Sequence, residues 1–420
     1  MERLFSLLDI IVSKLPFSLL SIPLIINDWH AVALLPITIL LDFFVPGLFA
    51  LYQSYYAYRK LKKECQGDGF FTGNFEVLNS ELVYRLNSFT FSTSLLGPRR
   101  LGIGTKLITK FNKSIKVVLS DKISTRFTTI LDTWEESIII VKRWFDEQEI
   151  KDVARLAHEF GHVYHSFKRA EFYGKAFTVA LFLLVMLYCA VTGGVSWPLL
   201  VALPLGLIVF IRYSRWIESY CESMSDIYVL TVFESLWGQD AMVKAAKLRI
   251  KERIYTCRQT KYGNKMGLNR GDRFVMYVSI NYMARFLSIK DCEELIAASV
   301  EKSSRIKENA GLNETERDSM LSIEKLIRQA LERNKNICLD STENLTFNDT
   351  NVILSVSYLT CFVMACIALF TTFKDISFTW QVPHMWTVLI IAIIIFVLYQ
   401  LIILLLWNMK TKLKRKIGLC

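Results

Sequence analysis

The stretch ARLAHEFGHVYHSF, residues 154–167, holds three of the five histidines of this 420-residue chain. His158 and His162 are four apart, so on a helix both imidazoles project from one face and can bind one ion. Glu159 projects beside that ion, where it can take a proton from water without being a ligand. A packed helix with two core histidines is the alternative. The H-E-x-x-H spacing predicts a zinc site on a helix.

The region before this helix carries short runs that favour β-strands. Polar breaks separate these runs between Gly69 and Val141, a pattern that predicts a small sheet. Their sequences are FEVL, LVYRL, SIKVVLS, RFTTIL and ESIIIV. The hydrophobic period then changes, and Asp146 to Lys168 is predicted to be one amphipathic helix with an acidic first turn and a basic end.

A zinc site of this kind needs a third protein ligand. His165 is an awkward one, because it lies two turns beyond the first histidine, about 10 Å along a straight helix. The candidate segment is RWIESYCESMSDIYVL. There Glu222 would complete a set of two histidines and a glutamate with one position open for water, and Asp226 could hydrogen-bond the free ring nitrogen of a ligating histidine. Glu218 competes with Glu222, since it lies one turn earlier on the same helix face.

Apolar composition and long apolar runs predict an integral membrane protein. Hydrophobic residues make up 52% of the chain, and several runs approach the roughly 20 residues that cross a bilayer. The first 26 residues are either a further span or an interfacial amphipathic helix, so we expect five or six transmembrane helices. The predicted spans are 31–54, 176–192 with 196–211 as a hairpin, 352–373, and 386–407.

The net charge of +11 does not indicate nucleic acid, because the basic clusters lie beside the apolar runs. By the positive-inside rule these clusters face the cytoplasm. The long polar segments that connect the apolar runs then lie together on the cytoplasmic side. The expected partners are therefore the lipid bilayer and a protein or peptide substrate, with no nucleic acid; the oligomeric state stays open. The clusters are Arg59, Lys60, Lys62 and Lys63; Arg212 and Arg215; and Lys410, Lys412, Lys414, Arg415 and Lys416.

The predicted fold is an α+β membrane protein with a zincin-type cytoplasmic catalytic domain, built from the small sheet and the H-E-x-x-H helix. The metalloprotease domain is expected in two parts, 64–174 and 214–260, interrupted by a transmembrane hairpin. The remaining divisions are an N-terminal membrane segment at 1–58, the hairpin at 175–213, a helical cytoplasmic region at 261–350, a C-terminal transmembrane hairpin at 351–409, and a basic tail at 410–420.

SIIIVKRWFDEQEIKDVARLAHEFGHVYH, followed by an apolar hairpin and CESMSD, resembles the integral-membrane gluzincin proteases. That family includes the bacterial heat-shock protease HtpX and the CAAX prenyl endopeptidase. The resemblance covers about residues 115–250 and implies one zinc ion per chain. It implies His158, His162 and Glu222 as ligands and Glu159 as the base. The expected location is a bacterial inner membrane, as a multi-pass protein with its catalytic domain in the cytoplasm.

The sequence departs from the family at two places that concern substrate contacts. Ser124-Thr125-Arg126-Phe127 stands where members commonly have Asn-Ala-Phe before the substrate-side strand. Cys221 stands where they often carry an arginine directly before the ligating glutamate.

The function predicted from these features is zinc-dependent endopeptidase activity at the cytoplasmic membrane surface, in membrane-protein quality control or processing. An extended substrate is expected to pair with the strand Ile138, Ile139, Ile140 and Val141, although a buried central strand fits that run equally well. Candidate donors to the oxyanion are Tyr220, Arg215 and Tyr228. The alternative function is a non-catalytic membrane anchor or receptor with a structural or vestigial zinc site.

Overall fold

The computed structural model is mostly helical, with one small sheet. It describes residues 8, 11–12, 14–64, 75–96, 114–121, 127–130, 136–164, 166–193, 197–263, 270–309, 325–340, 348–374 and 382–416. The strands are β1 (Phe75–Val77), β2 (Ser114–Ser120), β3 (Phe127–Ile130) and β4 (Glu136–Lys142). The main helices are α1 (Pro16–Leu20), α2 (Ile22–Asn27), α3 (Leu35–Glu64), α4 (Glu81–Leu96), α5 (Ile150–Tyr164), α6 (Ser166–Gly193), α7 (Trp197–Trp237), α8 (Gln239–Gly263), α9 (Arg270–Met283), α10 (Ile289–Asn309), α11 (325–334), α12 (Asn348–Phe373) and α13 (Val382–Lys416).

The small sheet has the strand order β1-β2-β4-β3. β2 and β4 are parallel, and the other two pairs are antiparallel. Ile140 faces Val118 of β2 on one side and Thr128 of β3 on the other. Both edges of β4 are therefore occupied, and the prediction that substrate pairs with Ile138, Ile139, Ile140 and Val141 is wrong. The run IIIV is apolar because β4 is a buried central strand.

The predicted strand LVYRL is instead part of α4. Ser80 caps this helix, since its Oγ accepts a hydrogen bond from Val83 N at 3.3 Å. Leu82, Val83 and Leu86 are buried, at the three- and four-residue spacing of one helix face. The helical period and the cap outweigh the β propensity of single residues in this short run.

The H-E-x-x-H helix, α5, begins at Ile150 and not at Asp146 as predicted. Asp146 Oδ1 accepts a hydrogen bond from Gln148 N at 2.8 Å, which closes a turn ahead of the helix. Phe160 is fully buried and packs in the core that α5 shares with the sheet and with α7 and α8. His165 lies outside the described residues.

α7 is a continuous helix of 41 residues, about 60 Å long at 1.5 Å per residue. Its first half is apolar over Leu200–Tyr213, and its second half enters the core beside α5. The boundary predicted between residues 213 and 214 falls inside this helix. One continuous helix, with Pro204 inside its apolar half, therefore joins the apolar layer to the segment that carries Glu222.

Among the described residues, three helices are long and apolar enough to cross a membrane, which indicates a membrane protein. These candidate spans are Gly174–Thr192, Val356–Phe373 and Leu389–Met409, and shorter apolar helices cover Pro16–Asn27, Trp29–Val45 and Leu200–Tyr213. α12 packs on α6 and α7, whereas α13 packs on α3. The five or six spans expected from sequence stay a prediction.

Asp42, buried in the apolar part of α3, caps the short helix α1. Its carboxylate accepts hydrogen bonds from the backbone N of Phe17 at 2.9 Å and of Ser18 at 3.1 Å. These are N–H groups that the first turn of a helix leaves without intrahelical partners. The acidic residue inside an apolar run thus has a structural role.

Candidate metal centre

His158, His162 and Glu222 form a group that can hold a metal ion. One ligand atom from each residue lies within 4.8 Å of the others. His158 Nε2 is 3.4 Å from Glu222 Oε2, and His162 Nε2 is 3.4 Å from Glu222 Oε1. Both separations are long for hydrogen bonds. Each equals the distance of about 3.4 Å between two ligand atoms of a tetrahedral ion with bonds of about 2.0–2.1 Å, with each histidine facing a different oxygen of Glu222.

Close packing of α5 against α7 brings the three residues together. Gly161 lies between the two histidines in sequence and faces Ser225 of α7. A Cβ built at Gly161 would be 2.8 Å from Ser225 Cα and 3.0 Å from Ser225 O. Only a residue without a side chain allows this approach, so Gly161 sets the spacing between the histidine helix and the glutamate helix.

Ser225 orients the imidazole of His162. The Ser225 hydroxyl donates to Cys221 O at 2.9 Å, so its oxygen is available to accept from His162 Nδ1 at 3.0 Å. A proton on Nδ1 leaves the lone pair of Nε2 directed toward Glu222. The serine therefore selects the ring tautomer that binds a metal through Nε2.

Asp226 has the corresponding position beside His158. Its Oδ1 lies 2.9 Å from His158 Nδ1, a charge contact in which the N–H direction is not aligned with the oxygen. The other nitrogen of this ring, Nε2, faces Glu222. A carboxylate behind a ligating histidine holds its orientation and raises its basicity.

Two arginines of α8 hold the carboxylates in place. Arg249 donates to Asp226 Oδ1 through Nε at 3.0 Å and Nη2 at 2.7 Å. Arg253 Nη2 donates to both Glu222 Oε2 at 2.6 Å and Asp226 Oδ2 at 3.0 Å. Ser279 Oγ of α9 donates to Asp226 Oδ2 at 2.6 Å. Asp226 is thereby held by three side chains from two helices, α8 and α9.

Charge balance keeps this cluster ionised. Burial opposes the ionisation of Glu222, but the charges of Arg253 and His162 outweigh it and hold the pKa of this carboxyl well below its usual range. Burial likewise opposes the ionisation of Asp226, and Arg253 and Arg249 hold its pKa well below the usual range. Both carboxylates are therefore charged at neutral pH, as a cation requires of its ligand and of the group behind it.

Within the described residues, an ionic network links three arginines to four carboxylates around the ligand group. Its members are Arg155, Arg249, Arg253, Asp152, Glu222, Asp226 and Glu252.

Asp226→Asn should weaken metal binding by about 10–100-fold, because the amide no longer holds His158 by charge. A metal titration of the purified variant against wild type measures the effect. Asp240→Asn makes the same chemical change at an exposed position of α8 and should bind as wild type does. Equal affinity of Asp226→Asn and wild type would contradict a supporting role for Asp226.

The candidate oxyanion donors and the competing Glu218 all lie on α7. Tyr228 is 4% exposed and packs edge-on against Phe89, with ring centroids 5.8 Å apart; its selection as an oxyanion donor stays a prediction. Arg215, Tyr220 and the competing Glu218 lie on α7, but their side chains are outside the described set.

Glu159 follows His158 on α5 and is partly exposed. It does not belong to the three-residue ligand group. The residue is therefore placed on the ligand-bearing helix without being needed to hold an ion.

The sequence interpretation missed Ser225, Ser279 and the two arginines. Arg249 and Arg253 are one turn apart in KLRIKERI, a spacing that puts two cations on one helix face. Such a pair is common on solvated faces, so spacing alone did not distinguish it. A usable signal was the apolar residue that follows each arginine, Ile250 and Ile254. Both are buried on the same helix, which indicates that this helix packs in the core next to the arginines.

Comparisons with known proteins found no match to this chain among protein-family models, curated proteins or solved structures.

Proposed function

We propose that this chain is a membrane-bound, zinc-dependent endopeptidase that hydrolyses protein substrates at the cytoplasmic membrane surface. The observation that carries the proposal is the group His158, His162 and Glu222, with 3.4 Å between the glutamate oxygens and the facing histidine nitrogens. Glu159 on the same helix adds the group that peptide hydrolysis needs and a purely structural metal site does not.

Zinc is the proposed metal because two imidazoles and one carboxylate form a donor set that it favours. A fourth position stays open when three protein ligands bind it, which is typical of catalytic zinc. When bound there, zinc would supply Lewis acidity toward water and a substrate carbonyl.

Glu159 is the proposed general base. Its carboxylate would accept a proton from the attacking water and then donate that proton to the leaving amine. Asp226 and Ser225 would keep both histidines in the tautomer that leaves Nε2 free. The chain's own residues thus account for ligand orientation and proton transfer.

The substrate edge is reassigned to β3, which within the described part of the chain is the last strand in the order β1-β2-β4-β3. β3 contacts α5, the helix that carries the histidines. An extended peptide can add to such an edge through backbone hydrogen bonds. We propose that substrate pairs with Phe127–Ile130.

The proposed site lies close to the bilayer. Glu222 follows Tyr213, the end of the apolar segment of α7, by nine residues, or about 14 Å of helix. The basic residues flanking the apolar runs assign this side to the cytoplasm by the positive-inside rule.

Metal removal tests this function. Detergent-purified protein should contain about one zinc per chain and cleave an unfolded reporter protein. A chelator should abolish the cleavage, and added zinc should restore it. Zinc with no cleavage of any reporter or co-purified membrane protein would favour the non-catalytic anchor or receptor. A zinc content far below one per chain would contradict the endopeptidase and a structural zinc site alike.

A further inference from the structure

We propose that Arg253 is a positioning residue that restricts Glu222 to one-oxygen binding of the metal. This inference rests on the proposed metal centre. Arg253 contacts the third ligand itself, whereas the function proposed above needs only the ligands, the base and the groups behind the histidines.

The two oxygens of Glu222 have different surroundings. Oε2 accepts the hydrogen bond from Arg253 Nη2 at 2.6 Å. Oε1 faces His162 Nε2 at 3.4 Å and Oε2 faces His158 Nε2 at the same distance, but within the part of the chain that the structure describes no arginine donates to Oε1. The charge-assisted hydrogen bond from Arg253 occupies a lone pair of Oε2 and makes that oxygen a weaker donor to a metal. Oε1 is therefore the better ligand atom.

Arg253 is itself held firmly. Its Nε and Nη2 both donate to Asp226 Oδ2, at 3.2 Å and 3.0 Å. One planar guanidinium therefore links the ligand Glu222 to Asp226, the carboxylate behind His158. Two-oxygen binding would require Oε2 to serve Arg253 and the metal ion together, which places two positive charges at one oxygen.

The consequence for the metal is its coordination number. With one oxygen from Glu222 and two imidazole nitrogens, a fourth position is left for water or substrate. With both oxygens bound, the ion gains a ligand and loses part of that opening. Arg253 would thus preserve the four-coordinate geometry.

Arg249 provides a matched control. It lies one turn before Arg253 on α8, is buried, and also pairs with Asp226. Its remaining ion pair, at 2.9 Å, is with Glu252 and not with Glu222. A change at Arg249 disturbs the same network without touching the third ligand.

The experiment uses Co²⁺ bound to the full-length protein in detergent, with the visible absorption as the readout of coordination. Wild type should show the intense band of four-coordinate cobalt. Arg253→Gln should shift to the weaker absorption of five-coordinate cobalt. Arg249→Gln, which acts through Asp226, should bind Co²⁺ more weakly but show the four-coordinate band at saturation. Circular dichroism confirms folding, and Arg253→Lys with Arg249→Lys replaces the glutamine pair if those variants do not fold.

A wild-type band in the Arg253 variant would overturn the proposal. An equal shift in both variants would also overturn it, because the effect would then act through Asp226 and not through Glu222. Absence of Co²⁺ binding by wild type would instead contradict the metal centre, and with it the proposed function. Since wild type is measured first, this last failure is distinguishable from the other two.

Discussion

Glu159→Gln is expected to bind zinc as wild type does and to lose about 10²–10⁴-fold in kcat for peptide cleavage. Glutamine has nearly the same size, so the packing of α5 is preserved, but it cannot accept a proton at neutral pH. Zinc content should not change, because His158, His162 and Glu222 form the ligand group without this residue. Zinc analysis and initial cleavage rates, taken on the same preparation, measure the two effects.

Glu149→Gln is the control for this substitution. Glu149 is exposed and lies directly before α5, so its neutralisation changes the local charge by the same amount away from the ligand group. It should cleave as wild type does. Activity of Glu159→Gln within a few-fold of wild type would assign the base to another residue, while loss of zinc would show that Glu159 supports the site structurally.

The histidine pair could be predicted from sequence because helical spacing is a local property. Residues four apart project from one face whatever surrounds them, and the same rule predicted that Glu222 and Asp226 share a face of α7. The structure brings these four side chains into one cluster. No part of the sequence pattern required α8 to supply its arginines to that cluster.

The sequence-based predictions failed where contacts with distant parts of the chain determine the local structure. The run IIIV gives the same apolar pattern in an edge strand and in a central strand, and only the pairing of β3 with β4 distinguishes the two. LVYRL is short enough to satisfy both a strand and a helix pattern, so the cap at Ser80 determines the outcome. Arg253 reaches Glu222 across 31 positions of chain, and no local rule predicts such a contact.

Gly161→Ala is expected to impair metal binding strongly while leaving the chain folded. The new Cβ would lie 2.8 Å from Ser225 Cα and 3.0 Å from Ser225 O, and backbone atoms cannot rotate away as a flexible side chain can. α5 and α7 must therefore move apart. Because the histidines lie on α5 and Glu222 lies on α7, this separation widens the ligand group directly.

Two opposing contributions determine how Gly161→Ala changes the free energy of unfolding. Alanine gains about 1 kcal/mol over glycine in a helix interior, whereas forcing a methyl group into a packed interface costs about 1–3 kcal/mol. The free energy of unfolding should therefore fall by no more than about 2 kcal/mol. Metal affinity depends on ligand distances to within a few tenths of an ångström, so it should fall much further than stability does.

Gly174→Ala separates the two contributions. Gly174 is helical and exposed in α6, and a Cβ there would meet no atom within 4 Å. That variant should keep the metal affinity of wild type and be no less stable, since it gains helix propensity without a clash. Zinc titration and thermal unfolding of both variants provide the comparison. Equal zinc affinity in Gly161→Ala and Gly174→Ala would mean that the contact between α5 and α7 does not determine the ligand geometry.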